Sequence, residues 1–261
     1  MGRLRGALTE LHRIDETAKR DWWLNRIHPL VKLVVTIGYI AVTVSFPNYR
    51  LPGILSMGVY PVAIFILGDI PIKDSLRRLR VALPVVCFIG IFHPLLDRRP
   101  LGTLGGVTIT LGMVAMVALM VKGAYAVLAS YLLIASTSIE EICYAMRLLH
   151  IPSILVTQIL LTYRYINVLL DEADRMMQAY SLRAPGQKGV HFKVWGSLAG
   201  QLLLKSMDRA KEVYDSMLLR GYQGEFYDAA KEPCHIKDYM YLAVWCVLFF
   251  VLRICSLASV S

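Results

Sequence analysis

The chain has 261 residues, 56% of them apolar, and a formal net charge of +9. A mean hydropathy of +0.53, with the apolar residues gathered in blocks, argues against an ordinary soluble domain and for an integral membrane protein. The basic surplus lies beside apolar blocks without an aromatic–basic platform, which disfavours nucleic acid as a partner and favours the lipid bilayer.

Residues 1–29 form a basic arm carrying Arg3, Arg5, Arg13, Lys19, Arg20 and Arg26. Leu8, Leu11 and Ile14 sit at roughly helical spacing, and Trp22-Trp23 stand where tryptophans mark a membrane interface. The arm is expected to be cytoplasmic or interfacial. It lacks the apolar core of a signal peptide, so the first span reads as an uncleaved anchor.

Transmembrane helices are expected across residues 30–136. The first two run from Leu30 to Phe46 and from Leu51 to Leu67, joined by the turn Pro47-Asn48-Tyr49-Arg50. The loop Asp69–Arg80 holds Lys73, Arg77, Arg78 and Arg80. A third span is expected over Val81–Leu96. Six basic residues in the arm and four in this loop, against Arg50 alone in the first loop and Arg98-Arg99 in the third, place the N-terminus in the cytoplasm. Residues 101–110 read as a turn with a short extended piece, because glycines and β-branched residues mix there. Leu111–Ser136 reads as one long, tilted span with a weak point near Gly123. Lys122 is its one charged residue. It marks either a pathway or partner contact, or a lysine whose stem runs along the bundle to a polar site.

A cytoplasmic coupling-helix module is expected over residues 137–224. Thr137-Ser138 precede Glu140-Glu141, a helix start with a hydroxyl cap and acids in the first turn. That short helix ends by His150-Ile151-Pro152, and Ser153 is expected to cap the next. From Ser153 to Arg183, apolar residues recur at steps of three and four (Leu155, Ile159, Tyr163, Ile166, Leu170), giving a helix of roughly 45 Å. Its C-terminal half reads as too polar to span, and Ala184-Pro185-Gly186 stops it. A second amphipathic helix starts near His191 and ends at Gly221, a C-terminal glycine. Residues 225–261 form a polar loop and a last span over Tyr239–Leu257. The expected fold is therefore an all-α integral membrane protein with about five transmembrane helices, four to six being admissible, plus two long amphipathic helices.

Both amphipathic helices end in a leucine, an arginine and a small residue: Leu182-Arg183-Ala184 and Leu219-Arg220-Gly221. An arginine in a last helical turn is mildly favoured by the helix dipole. Two of them at matching ends suggest a docking device, since a guanidinium can bind a partner's carboxylate through two hydrogen bonds. Nothing speaks for catalysis. There is no phosphate-binding or dinucleotide loop, no nucleophile elbow and no zinc-protease motif. The six histidines are scattered, the five cysteines show no metal or disulfide spacing, and Cys234-His235 is an isolated pair.

With these tripeptides, and with Leu148-Leu149-His150-Ile151-Pro152 followed by Tyr163-Arg164-Tyr165, the chain resembles the transmembrane T component of energy-coupling-factor transporters, the CbiQ/EcfT-like family. Ile14-Asp15 and the run Ile27–Lys32 resemble its cobalt/nickel branch. Relatives usually carry alanine before each arginine, where this chain carries leucine. The resemblance implies a non-catalytic subunit of an ATP-driven importer in the cell membrane. Two ATPase subunits, which bind the ATP, would receive Arg183 and Arg220 with their neighbours, and a separate membrane subunit would bind the cobalt or nickel. No cofactor is expected in this chain. The alternatives are a T component serving a vitamin-binding subunit and a stand-alone secondary carrier; the latter calls for intramembrane polar residues and repeated halves.

Overall fold

A computed structural model of the chain describes residues 24–48, 51–68, 72–92, 94, 100–104, 107–184, 191–224 and 235–258. The chain divides into two units, one of residues 17–138 and 232–261 and one of residues 1–16 and 139–231.

The first unit is a bundle of apolar helices. Helix α1 spans Pro29–Ser45, starting where a proline at the first position costs no hydrogen bond and His28 Nδ1 accepts from the Leu30 amide. The second expected span is broken into α2, Leu51–Ser56, and α3, Val59–Gly68. Pro61 cannot donate to the Met57 carbonyl four residues earlier, and the Tyr39 hydroxyl from α1 donates to it instead, at 3.0 Å. Gly58 lies at the break. A Cβ there would come within 2.6 Å of the Tyr125 hydroxyl oxygen, so a larger residue would have to displace that side chain.

Helix α4 runs Ile72–Gly90, nine residues ahead of the expected start at Val81. Its basic residues are good helix formers, so the expected loop continues the helix. Arg78 places its guanidinium 5.0 Å from the centre of the Tyr131 ring, a cation–π contact. The expected end at Leu96 lies outside the described residues. Residues Pro100–Leu104 (β1) and Val107–Thr110 (β2) pair as an antiparallel hairpin, the one departure from helix among the described elements.

Helix α5, Leu111–Ser136, runs unbroken. Gly123 is not a weak point in it. A Cβ there would meet the Val86 methyls at 3.0 Å, so this glycine lets α4 and α5 pack closely. The last helix, α9, spans Ile236–Ala258. Its Trp245 and Phe249 join Tyr39 and Tyr60 in a buried aromatic cluster, with Tyr39 stacked on Tyr60 at 4.4 Å and Trp245 edge-on to Tyr60 at 4.7 Å. Aromatic pairs of this kind add about 0.5–1.5 kcal/mol each beyond the area they bury.

Two lysines fasten α1 and α5 reciprocally. Lys32 of α1 donates to the Ser136 carbonyl at the end of α5, at 2.8 Å. Lys122 of α5 donates to the carbonyls of Val44 and Phe46 at the end of α1 and to Asn48 Oδ1 at 2.7 Å. Each ammonium thus satisfies carbonyls that an ending helix leaves unpaired, and each meets its negative dipole end. The two helices must run antiparallel for both bonds to form. This settles Lys122: it is a buried capping lysine, its head spent on three acceptors. Asp238 ties two helix starts in the same way. One carboxylate oxygen accepts from the His28 amide at 3.0 Å and the other from the His235 amide at 2.9 Å.

The second unit contains α6, Ile139–Leu148, α7, Ser153–Arg183, and α8, Phe192–Leu219. Ser153 does not cap α7. Pro152 takes the cap position, and no side chain bonds the first amides. By length and composition four stretches can cross a membrane: α2–α3 taken together, α5, α7 and residues 236–255 of α9. Helix α1 is a shorter apolar helix. Helix α7 qualifies although its second half was read as too polar, because Ser153–Leu170 hold a single charge, Arg164. These spans make the chain a multi-pass membrane protein.

Candidate functional site

The two basic tripeptides lie in the second unit, and their similar sequences end their helices differently. Arg183 is still helical, and Ala184 closes α7 with its amide bonded to the Tyr180 carbonyl at 3.1 Å. Arg220 is itself the cap of α8. Gly221 follows with φ +82°, its amide bonds Leu218, and the Tyr222 amide reaches back to Met217, both at 3.0 Å. That is a Schellman ending, in which the left-handed residue is best a glycine. The expected role of Gly221 as a helix stop therefore holds, whereas Ala184 needs no positive φ. Pro185 and Gly186 lie outside the described residues.

Both arginines are exposed, and the leucine before each is more so: Leu182 at 82% and Leu219 at 91%. Leucines so bare beside a cation gain little from packing among the described residues. The rest of α8 behaves alike, with no buried residue along its length, and Phe192 at its start is 89% exposed. On α7 only Val156 and Asp174 are buried. The apolar stripes expected from the spacing exist, but most of their area finds no cover within the unit.

The helices α7 and α8 pack antiparallel. Lys205 of α8 bonds Glu172 of α7, while the C-terminal part of α8 (Val213, Met217) lies beside Leu161 and Tyr165 in the first half of α7. Glu172 is thus a bridge between the helices; Arg175 stands 3.9 Å from its other oxygen. The antiparallel course also sets how far apart the two helix ends lie. Arg220 lines the same groove as Arg164, and Arg164 is nineteen residues before Arg183 on the same helix. At 1.5 Å per residue the two docking candidates are roughly 28 Å apart along α7.

Two grooves open between these helices. One, of about 530 Å³, is lined by Arg164, Tyr165, Arg209, Glu212, Arg220 and neighbours. The other, of about 520 Å³, is more apolar and shares Leu161, Tyr165, Val213, Met217 and Tyr222 with it. The tripeptide spacing pointed to Arg220 but not to Arg164, whose place in the same groove follows from the helix pairing. Among the described residues no three histidine, cysteine or acidic side chains come together as a metal site. Cys234 and His93 lie outside them.

Comparison with known proteins gives the same direction. The family model for CbiQ, described as cobalt transport protein, matches residues 20–230. The nickel permease LarQ of Lactiplantibacillus plantarum is 27% identical over 119 residues, 44% of each chain. An uncharacterized protein of Methanocaldococcus jannaschii is 28% identical over 188 residues, 67% of this chain and 64% of its own. The cobalt transport protein CbiQ of Salmonella typhimurium is 35% identical over 80 residues, 30% of this chain and 35% of its own. The chain thus spans less than two thirds of the length of each of these relatives.

Proposed function

This chain belongs to the CbiQ family of cobalt transport proteins, and from that premise we propose that it is the energy-coupling membrane subunit of an ATP-driven importer of cobalt or nickel. The first unit serves as a membrane scaffold. Helices α7 and α8 pass the motion of two ATPase subunits to a separate membrane subunit that binds the metal. ATP is bound and hydrolysed by those partners, and this chain performs no catalysis. The N-terminal arm and the arginine-bearing helix ends lie on the cytoplasmic side of the cell membrane, as the basic loops favour.

The observation that carries this reading is the pair of exposed ends, each a bare leucine beside an arginine, on helices whose apolar faces are largely uncovered. An arginine flanked by an apolar anchor suits a groove on another protein, where the guanidinium meets a carboxylate and the leucine fills a pocket. Separation of the two ends by roughly 28 Å along α7 suits two ATPase subunits, one on each.

The test is charge reversal at both ends. The double variant Arg183→Glu, Arg220→Glu is expected to fold and insert normally but to lose ATP-driven uptake of Co²⁺ and Ni²⁺ and to release the ATPase subunits on purification. Wild-type uptake with the ATPase subunits still bound would refute the docking role.

A further inference from the structure

We propose that the first turns of α4 hold the headgroup of an anionic phospholipid, with Arg77 and Arg80 as the two cations and the apolar face beyond them as the seat of its acyl chain. The packing of α4 on α5 sets the geometry. Arg78 lies against Tyr131, Val86 against Gly123 and Gly90 against Met116, so the two helices run antiparallel in a steady register. These residues face α5, the helix against which α4 chiefly packs. The opposite side of α4 is exposed in two rows with steps of four: Arg77, Val81 and Val85, and beside them Arg80, Pro84 and Phe88. Each arginine therefore heads a row of apolar residues on one face.

Helix α5 measures the depth of these arginines. Its 26 residues are roughly 39 Å long, which exceeds the hydrocarbon core of a bilayer by about 9 Å. Tyr131, level with Arg78, lies five residues before the end of α5 at Ser136, or about 8 Å. Arg77 and Arg80 thus stand within about one helical turn of the hydrocarbon boundary, where an arginine's flexible stem brings its guanidinium to the phosphate level. From Val81 to Phe92 every exposed residue of α4 is apolar. That stretch covers roughly 17 Å, close to the depth of one leaflet.

The charge is of the right sign and is not spent inside the chain. Neither Arg77 nor Arg80 has a hydrogen bond or ion pair among the described residues, and α5 carries no acidic residue along its length. Lys73 and Asp74, in the turn before, cancel in charge. Arg78 is turned onto Tyr131 instead. Like charges three residues apart on a helix repel, and an anion between them relieves that cost. A guanidinium pair suits a phosphodiester, which can accept hydrogen bonds from both. Inorganic phosphate would meet the arginines alone, whereas a phospholipid also meets the rows that run on from them.

The test uses the full-length purified chain in detergent, titrated with phosphatidylglycerol and separately with phosphatidylcholine, with bound lipid counted by native mass spectrometry. The wild-type chain is expected to bind phosphatidylglycerol about twentyfold tighter than phosphatidylcholine. Arg77→Gln and Arg80→Gln should each lose about fivefold of that preference, and the double variant nearly all of it. Arg77→Lys, which keeps the charge, should stay within about twofold of wild type. Val85→Ser should weaken both lipids about twofold, through the chain contact. All these side chains are exposed, so the thermal midpoint without added lipid should not move.

Equal affinity of the wild-type chain for the two lipids would overturn the proposal. So would an equal loss in Arg175→Gln, whose arginine is exposed on α7, because binding would then follow net charge alone. Displacement of phosphatidylglycerol by millimolar inorganic phosphate would show a free-anion site without a lipid seat. If the double variant keeps its lipid preference but releases another membrane subunit from the assembled complex, the face is a protein contact and the lipid site is refuted.

Discussion

The two units differ in composition and in how their polar groups are met: residues 1–16 and 139–231 are about a quarter charged, the bundle about an eighth. In the unit built from α1–α5 and α9, several buried polar groups are answered within the unit, although the Ser75 hydroxyl is buried without a partner. Lys32 and Lys122 cap each other's helices, Asp238 holds two amides, and Tyr39 replaces the amide that Pro61 lacks. In the unit built from α6–α8 the reverse holds. The ion pairs among the described residues of α7 and α8 lie at the surface, and Leu182 and Leu219 at the helix ends are bare. The first arrangement fits a body that keeps its shape; the second fits elements completed by something else. Local opening and partner exchange come cheaply where few buried contacts hold an element.

The contrast can be broken from the scaffold side first. Lys122→Met should destabilise the chain most, by about 3 kcal/mol, because it strands two helix-end carbonyls and the Asn48 oxygen in the interior. Thermal unfolding in detergent reads this directly, and an unchanged midpoint would mean that the caps contribute nothing. Asp238→Ala should cost about 2 kcal/mol by the same assay, since two amides lose one charged acceptor. Gly221→Ala should cost only about 1 kcal/mol, through its left-handed backbone. It should also weaken ATPase binding by turning Arg220 out of line. At the small end, Leu182→Ser and Leu219→Ser should leave the isolated chain's stability within about 0.5 kcal/mol. A larger loss would show that these leucines are already covered.

Much of this was legible from residue order, for identifiable reasons. The expected first, fourth and last spans are found within a few residues as α1, α5 and α9, because long apolar runs leave little choice. Gly221 was legible because a glycine after a periodic stripe has one common use. The break at Gly58 was not, because it depends on Tyr39 and Tyr125 arriving from other helices. For Lys122 the sequence left both a pathway and a structural role open, and only the antiparallel course of α1 decides between them. The distance between Arg183 and Arg220 was not legible for the same kind of reason. Their spacing along the chain is silent about which way α8 turns back on α7, and the fold sends the two ends apart. Expectations for Trp22-Trp23 and Cys234 fall outside the described residues.

The central claim, that the exposed helix ends are completed by ATPase subunits, is tested most directly by cross-linking. Leu182→Cys and Leu219→Cys are introduced singly, with the native cysteines replaced by alanine, into the assembled membrane complex. The account predicts that each forms a short-range cross-link to an ATPase subunit and resists a membrane-impermeant maleimide added from outside the cell. Cross-links to no ATPase subunit at either position, or ready labelling from outside, would contradict it.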